Sequence, residues 1–205
     1  GLCGHTGSDF STIQAALDAV AMGGTVHVAA GDYTGPIKIS QDLTLQGAGP
    51  GSTIVHGASR VFDITGGTVS IDGVAVTGGD GYLVCGGGIW VSPIATLTLS
   101  NASVYSNTAE DGGGICNLGH LSMSNTSVMS NTSGAGGPGY AGGGISLQDA
   151  TRVRIRHNTI ANNQSTATAQ GAFAPGAVNS TPQGAGIVSH LHTLSLTQVL
   201  VTAST

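Results

Sequence analysis

Apolar and small polar residues alternate in short bursts along this chain. The pairs Leu43/Leu45, Val69/Ile71, Leu97/Leu99, Leu121/Met123, Val153/Ile155 and Leu194/Leu196 each enclose one Thr, Ser or Arg. A period of two predicts short strands with one buried face. Four of the pairs follow an isoleucine, at Ile89, Ile115, Ile145 and Ile187. A single aliphatic comes after them, at Val104, Val128, Ile160 and Val201. The same order of apolar positions therefore recurs in four copies.

The polar punctuation recurs with it. Gly86–Gly88, Gly112–Gly114 and Gly142–Gly144 stand before three of the isoleucines, and Gly184-Ala185-Gly186 before the fourth. Asn107, Asn131, Asn163 and Ser204 close the four copies. The isoleucines are spaced 26, 30 and 42 residues apart, so the core strings match and only the linkers vary. TVSIDGVAVTGG and LTLQG are weaker copies upstream. A unit of this size cannot bury its own apolar face and must stack on its neighbours. Three short strands per unit, joined by tight turns, predict the coils of a parallel β-helix. About six coils at ~4.8 Å each make a rod of roughly 30 Å. The glycine triplets predict corners where coils pass closely or φ turns positive. Asn107, Asn131 and Asn163 are expected at a second corner, on left-handed backbone, bonded to one another as a structural ladder. The alternative is glycosylation, since Asn101, Asn125, Asn131, Asn163 and Asn179 sit in N-x-S/T triplets.

The N-terminal stretch has a different period. In SDFSTIQAALDAVA, Ile13, Ala16, Leu17 and Val20 fall at helical spacing. Ser11 and Gln14 read as a capping box. A helix here would plug the open end of the solenoid and shield its first edge. Residues 1–205 thus read as one β-helix domain: an N-terminal arm and capping helix over 1–24, coils over 25–205, and a long loop insertion at 164–183.

The stretch FSTIQAALDAV…GGTVHVAAGDYTGPIKISQDLTLQGAGPGSTIVHG resembles the cap and first coils of pectin-lyase-like right-handed β-helix proteins. The GGGI and VxxN strings resemble the GGAI and FxxN repeats of polymorphic outer-membrane adhesins and of secreted bacterial surface proteins. Together the resemblances cover nearly the whole chain. They imply an all-β, single-stranded, right-handed parallel β-helix. They do not decide activity, because this fold hosts lyases, hydrolases, esterases, adhesins and spacers.

Composition narrows the partners. Glycine is plentiful at 35 residues, charged residues are 7% and aromatics 4%. The net charge of −5, with only Lys38, Arg60, Arg152, Arg154 and Arg156 basic, argues against nucleic acid. No apolar run reaches the length of a membrane span. Cys3, Cys85 and Cys116 leave three readings open: one disulfide plus a free thiol, a bond between subunits, or three buried apolar side chains.

Candidate chemistry is sparse. The resemblance to polysaccharide lyases implies acids stacked on neighbouring coils to hold calcium, but Glu110-Asp111 aligns with Val84-Cys85 and Tyr140-Ala141. His190 and His192 share a face without a third metal partner. Trp90, Tyr33, Tyr82, Tyr105 and Tyr140 form no aromatic row for stacking sugars. No cofactor, metal site or catalytic set is expected. Arg152, Arg154 and Arg156 share one outward strand face across a Ser/Thr surface, either as a solvated face or as a contact for an acidic glycan or a neighbouring subunit. Phe173, within the 164–183 insertion, is a second contact candidate.

The last copy ends at TAST without a capping helix, which predicts an open strand edge suited to head-to-tail self-stacking. These features point to a non-catalytic, extracellular or cell-surface β-solenoid with a structural, adhesive or self-assembling role. Its expected partners are further copies of itself or a cell-surface glycan. The alternative is a carbohydrate-active enzyme of the pectin-lyase superfamily acting on an acidic polysaccharide.

Overall fold

A computed structural model describes residues 3–5, 8–134, 142–148, 152–165, 186–189 and 194–202. Short strands wind through successive coils and pair in parallel with the coil above and below. Face A stacks Thr25–Val28, Leu43–Gly47, Thr68–Asp72, Thr96–Ser100, His120–Ser124 and the first halves of Arg152–Ala161 and Leu194–Thr202. Face B stacks Gly31–Thr34, Thr53–His56, Ala75–Thr77, Ser103–Tyr105, Ser127–Met129 and the second halves of those two long strands. Face C runs from Ile37–Ile39 through Phe62–Ile64, Ile89–Val91, Ile115–Asn117 and Ile145–Leu147 to Ile187–Ser189.

The register follows the repeat. Ile89, Ile115, Ile145 and Ile187 pair in one column, and Leu97, Leu121 and Val153 in another. The central coils bury the same five positions; in one coil these are Ile89, Val91, Leu97, Leu99 and Val104, all fully buried. Each such side chain contributes about 1.5–3 kcal/mol when taken out of water. On face C the column of Ile64, Val91 and Leu147 is interrupted at buried Asn117, whose Nδ2 donates to the Gly119 carbonyl at 3.1 Å.

The structure adds a fourth strand that the three-strand reading lacked. Asp80–Cys85, Thr108–Asp111, Thr132–Ser133 and Gln164–Ser165 form a four-stranded sheet, face D, between B and C. Its segments are two to six residues long and mostly polar or small, so no period of two marks them.

Corners repeat as well. From A to B the chain turns through left-handed residues Asn101, Asn125, His157 and Gln198, at φ 48°, 49°, 53° and 51°. From B to D it turns through Ser106, Ser130 and Asn162, at φ 53°, 54° and 55°. The left-handed residue is thus the one before each of Asn107, Asn131 and Asn163. This corrects the expectation that those asparagines carry the turn themselves. Their side chains are freed to point inward, where they are buried.

The helix spans Ile13–Ala19 and lays Ile13, Ala16 and Leu17 on the core. Its N-cap is Thr12, whose Oγ1 accepts from Ala15 N at 3.2 Å, and not Ser11 as the capping-box reading required. One residue of shift releases Gln14 from capping. Gln14 instead bonds the outer edge of face C, accepting from Lys38 N at 2.8 Å and donating to Lys38 O at 3.2 Å. It occupies that edge as a further strand residue would. On face A the first edge is covered by the strand Cys3–His5, which pairs antiparallel with both Ser8–Phe10 and Thr25–Val28.

Candidate functional site

The outward positions of face A follow one register from coil to coil. Thr96, Thr98 and Ser100 stand beside His120, Ser122 and Ser124, and these beside Arg152, Arg154 and Arg156. Ser195 and Thr197 continue the rows past Arg154 and Arg156. All three arginines are exposed, while Val153 and Ile155 between them are buried. Strand alternation alone produces this: inward aliphatics force the intervening residues outward.

Asn158 holds the strand that carries them. It is buried just past the His157 corner. Its Nδ2 donates to Arg156 O at 2.8 Å and to Met123 O at 3.2 Å, and its Oδ1 accepts from Thr126 N at 2.7 Å. Sequence reasoning passed over Asn158 because Ala102 and Thr126 occupy that repeat position on other coils. The only available signal was an asparagine directly after a corner residue.

A shallow groove of about 370 Å³ lies between Thr96, His120, Ser122, Arg152 and Arg154, with Leu121 at its floor. Among the described residues the one ion pair is Arg60–Asp63, so the three stripe guanidiniums have no carboxylate partner among those residues. Asp72, on the same face two coils away from His120, is already engaged: Ser100 Oγ donates to it at 2.6 Å and Asn101 Nδ2 at 2.7 Å.

Asn107, Asn131 and Asn163 form a buried column at the B-to-D corner. Asn131 Oδ1 accepts from both N and Nδ2 of Asn107, each at 3.0 Å. Asn163 Oδ1 accepts from N and Nδ2 of Asn131 in the same way, again at 3.0 Å. The amides also donate to the Val76, Val104 and Val128 carbonyls. Against this column lie the glycine triplets: a Cβ on Gly88 would stand 2.6 Å from Gly114 O and 3.0 Å from Asn107 Nδ2. Burial of Asn131 and Asn163 removes both as glycosylation acceptors in the folded chain. Asn101 and Asn125 are exposed, with Asn125 Nδ2 at 3.5 Å from Asn101 Oδ1.

Cys85 and Cys116 are joined in a disulfide, with Cα atoms 5.6 Å apart. It ties the end of one face D strand to face C of the next coil. Gln148 Nε2 approaches Cys85 Sγ at 3.6 Å and bonds Ser146 Oγ at 3.2 Å. Arg60 closes the other side. It pairs with Asp63 at 2.9 Å, donates to Cys85 O at 2.8 Å, and lies 5.1 Å from the centroid of the Trp90 ring. The bond closes a 31-residue separation, which in the chain-entropy picture stabilises the fold by about 3.7 kcal/mol. Reduction with dithiothreitol, or Cys116→Ala, is therefore expected to lower the thermal midpoint markedly. Coincident melting curves for the oxidised and reduced protein would show that the bond does not constrain the fold.

Phe173, His190 and His192 lie outside the described residues, as does most of the 164–183 insertion; Cys3 is described by its backbone alone. Among the described residues, no group of three or more His, Cys, Asp or Glu side chains could share a metal ion. No described helix is long and apolar enough to cross a membrane.

A family model described as right handed beta helix region matches residues 46–190. No curated protein and no solved structure is similar enough to the chain to match it. The matched span covers well over half of the sequence and includes the parallel-paired coils that stack the aliphatic columns, the asparagine column and the arginine strand, so the chain belongs to the right-handed β-helix family.

Proposed function

We propose that this protein is a non-catalytic, extracellular β-solenoid that serves as an adhesive or structural surface, with face A as its contact side. The observation that carries the reading is the arginine stripe. Three of the five basic residues of a chain with net charge −5 stand at exposed positions of one strand with no carboxylate of their own among the described residues. Charges placed so do not stabilise the fold; they are available to an anionic partner. The disulfide supports an exterior location, since such bonds persist in oxidising compartments.

The test compares the native chain with an Arg152→Ser/Arg154→Ser/Arg156→Ser variant on immobilised polyglutamate and on a linear polyuronate. Retention of the native chain at low salt is expected, weakening as ionic strength rises, and at least tenfold lower for the variant. Circular dichroism should match, because all three side chains are exposed. Equal retention of the two proteins would remove the stripe from the function. Light scattering on the same samples separates adhesion by single chains from self-assembly.

The groove beside His120, Arg152 and Arg154 favours a second reading, a carbohydrate-active enzyme acting on an acidic polysaccharide. Falling viscosity of the polyuronate in the presence of the protein would establish it over the first.

A further inference from the structure

We infer that the stripe docks an extended acidic peptide segment whose carboxylates stand at alternate positions. The inference rests on the contact reading above and names its partner. Arg152, Arg154 and Arg156 alternate along one strand, so their attachment points repeat every ~6.6–6.8 Å. An extended peptide has the same period of two. Carboxylates at its positions i, i+2 and i+4 fall at that same interval on one face. Each guanidinium can then take one carboxylate in a planar, two-bond fork.

The surroundings favour a strand-wide partner lying across the rod. His120, Ser122 and Ser124 flank the stripe on one side, and Ser195 and Thr197 stand beside Arg154 and Arg156 on the other, so the two latter arginines have short hydroxyl residues as neighbours on both sides. A polymer following the rod axis would meet the arginines at one level only. The outward positions from Thr68–Asp72 to the Ser195/Thr197 level are Thr, Ser, Asp, His and Arg. None offers the phenyl or indole face on which a sugar ring stacks. Directional pairing with spaced carboxylates is what remains.

The experiment uses the full chain and fluorescently labelled peptides of equal length, charge and composition. One repeats Glu-Ser; the other repeats Glu-Glu-Ser-Ser, which places a carboxylate at only every second position of an extended face. Anisotropy titrations are expected to show the alternating peptide binding at least tenfold tighter. Arg154→Ser, the central position, should abolish the difference, and Arg154→Lys should restore only part of it because the fork is lost. Equal affinity for both peptides, still lost in the triple arginine variant, overturns the peptide inference and leaves the anionic contact standing. Tighter binding of a linear polyuronate than of the alternating peptide overturns it in favour of a glycan. Failure of every polyanion to bind overturns both readings.

Discussion

Asn131→Ala is expected to destabilise the protein by about 4 kcal/mol, among the largest effects of any single truncation. The side chain is fully buried and bonded on both ends. Its removal takes from Asn107 N the Oδ1 acceptor at 3.0 Å and from Val104 O a donor at 3.0 Å, while Asn107 Nδ2 loses the same acceptor and keeps the Val76 and Tyr105 carbonyls. Buried groups left unpaired keep their full desolvation cost, typically about 1–3 kcal/mol each. The column is also contiguous, so losing its middle member uncouples the coil above from the coil below. Chemical denaturation of Asn131→Ala beside Asn125→Gly supplies the comparison. Asn125 is exposed and already left-handed, so glycine there should move stability by less than ~0.5 kcal/mol. Equal effects of the two substitutions would mean that the buried column holds no more of the fold than the outer asparagines do.

Gly114→Ala should be as damaging, at roughly 4–5 kcal/mol and a midpoint lower by about 10 °C or more. The added Cβ would lie 2.7 Å from Gly144 O and 2.9 Å from Asn131 Nδ2. Gly144 O is the acceptor for Ile115 N at 2.9 Å, so it has no freedom to retreat without breaking the ladder between coils. Relief must come from lifting one coil off the next, which opens the aliphatic columns. Gly51→Ala is the counterpart: nothing lies within 4 Å of its Cβ. There the lost freedom of the unfolded chain should raise stability by ~0.4–1 kcal/mol. A Gly114→Ala protein that melts with the native one would refute the close approach of the coils. The asparagine and glycine effects should not add, because both act on one contact.

The aliphatic columns were readable because stacking repeats their chemistry: Leu97, Leu121 and Val153 occupy one inward position and say so in sequence. Face D was not readable. Thr132-Ser133 and Gln164-Ser165 are too short to show a period, and they pair only because the neighbouring coil presents the same edge. The helix was visible in its spacing but its cap was misplaced by one residue. Ser11 and Thr12 are equally good caps locally, and the choice is made by Gln14 bonding Lys38, a contact across 24 residues. The pairing of Cys85 with Cys116 had no local signal either. It arises from the turn at Gly86, where φ is 78° and the chain swings from face D to face C. At the candidate site the arginines were plain in the alternation, whereas Asn158 beneath them stood at a position filled by Ala102 and Thr126 elsewhere.

The D-to-C corner also bears on how such a chain can change. Two connections much longer than the rest leave the stack there, after Ser133 and after Ser165, and rejoin it at Ile145 and Ile187 in unbroken register. Extra length at this one address costs the fold little, since loop closure grows only slowly with loop size. It is therefore a natural grafting point: foreign segments inserted after Ser133 or Ser165 would be carried on one flank of the rod, spaced by a single coil, while face A stays as it is. Diversification and engineering would share that entrance, with the number of displayed segments set by the number of coils.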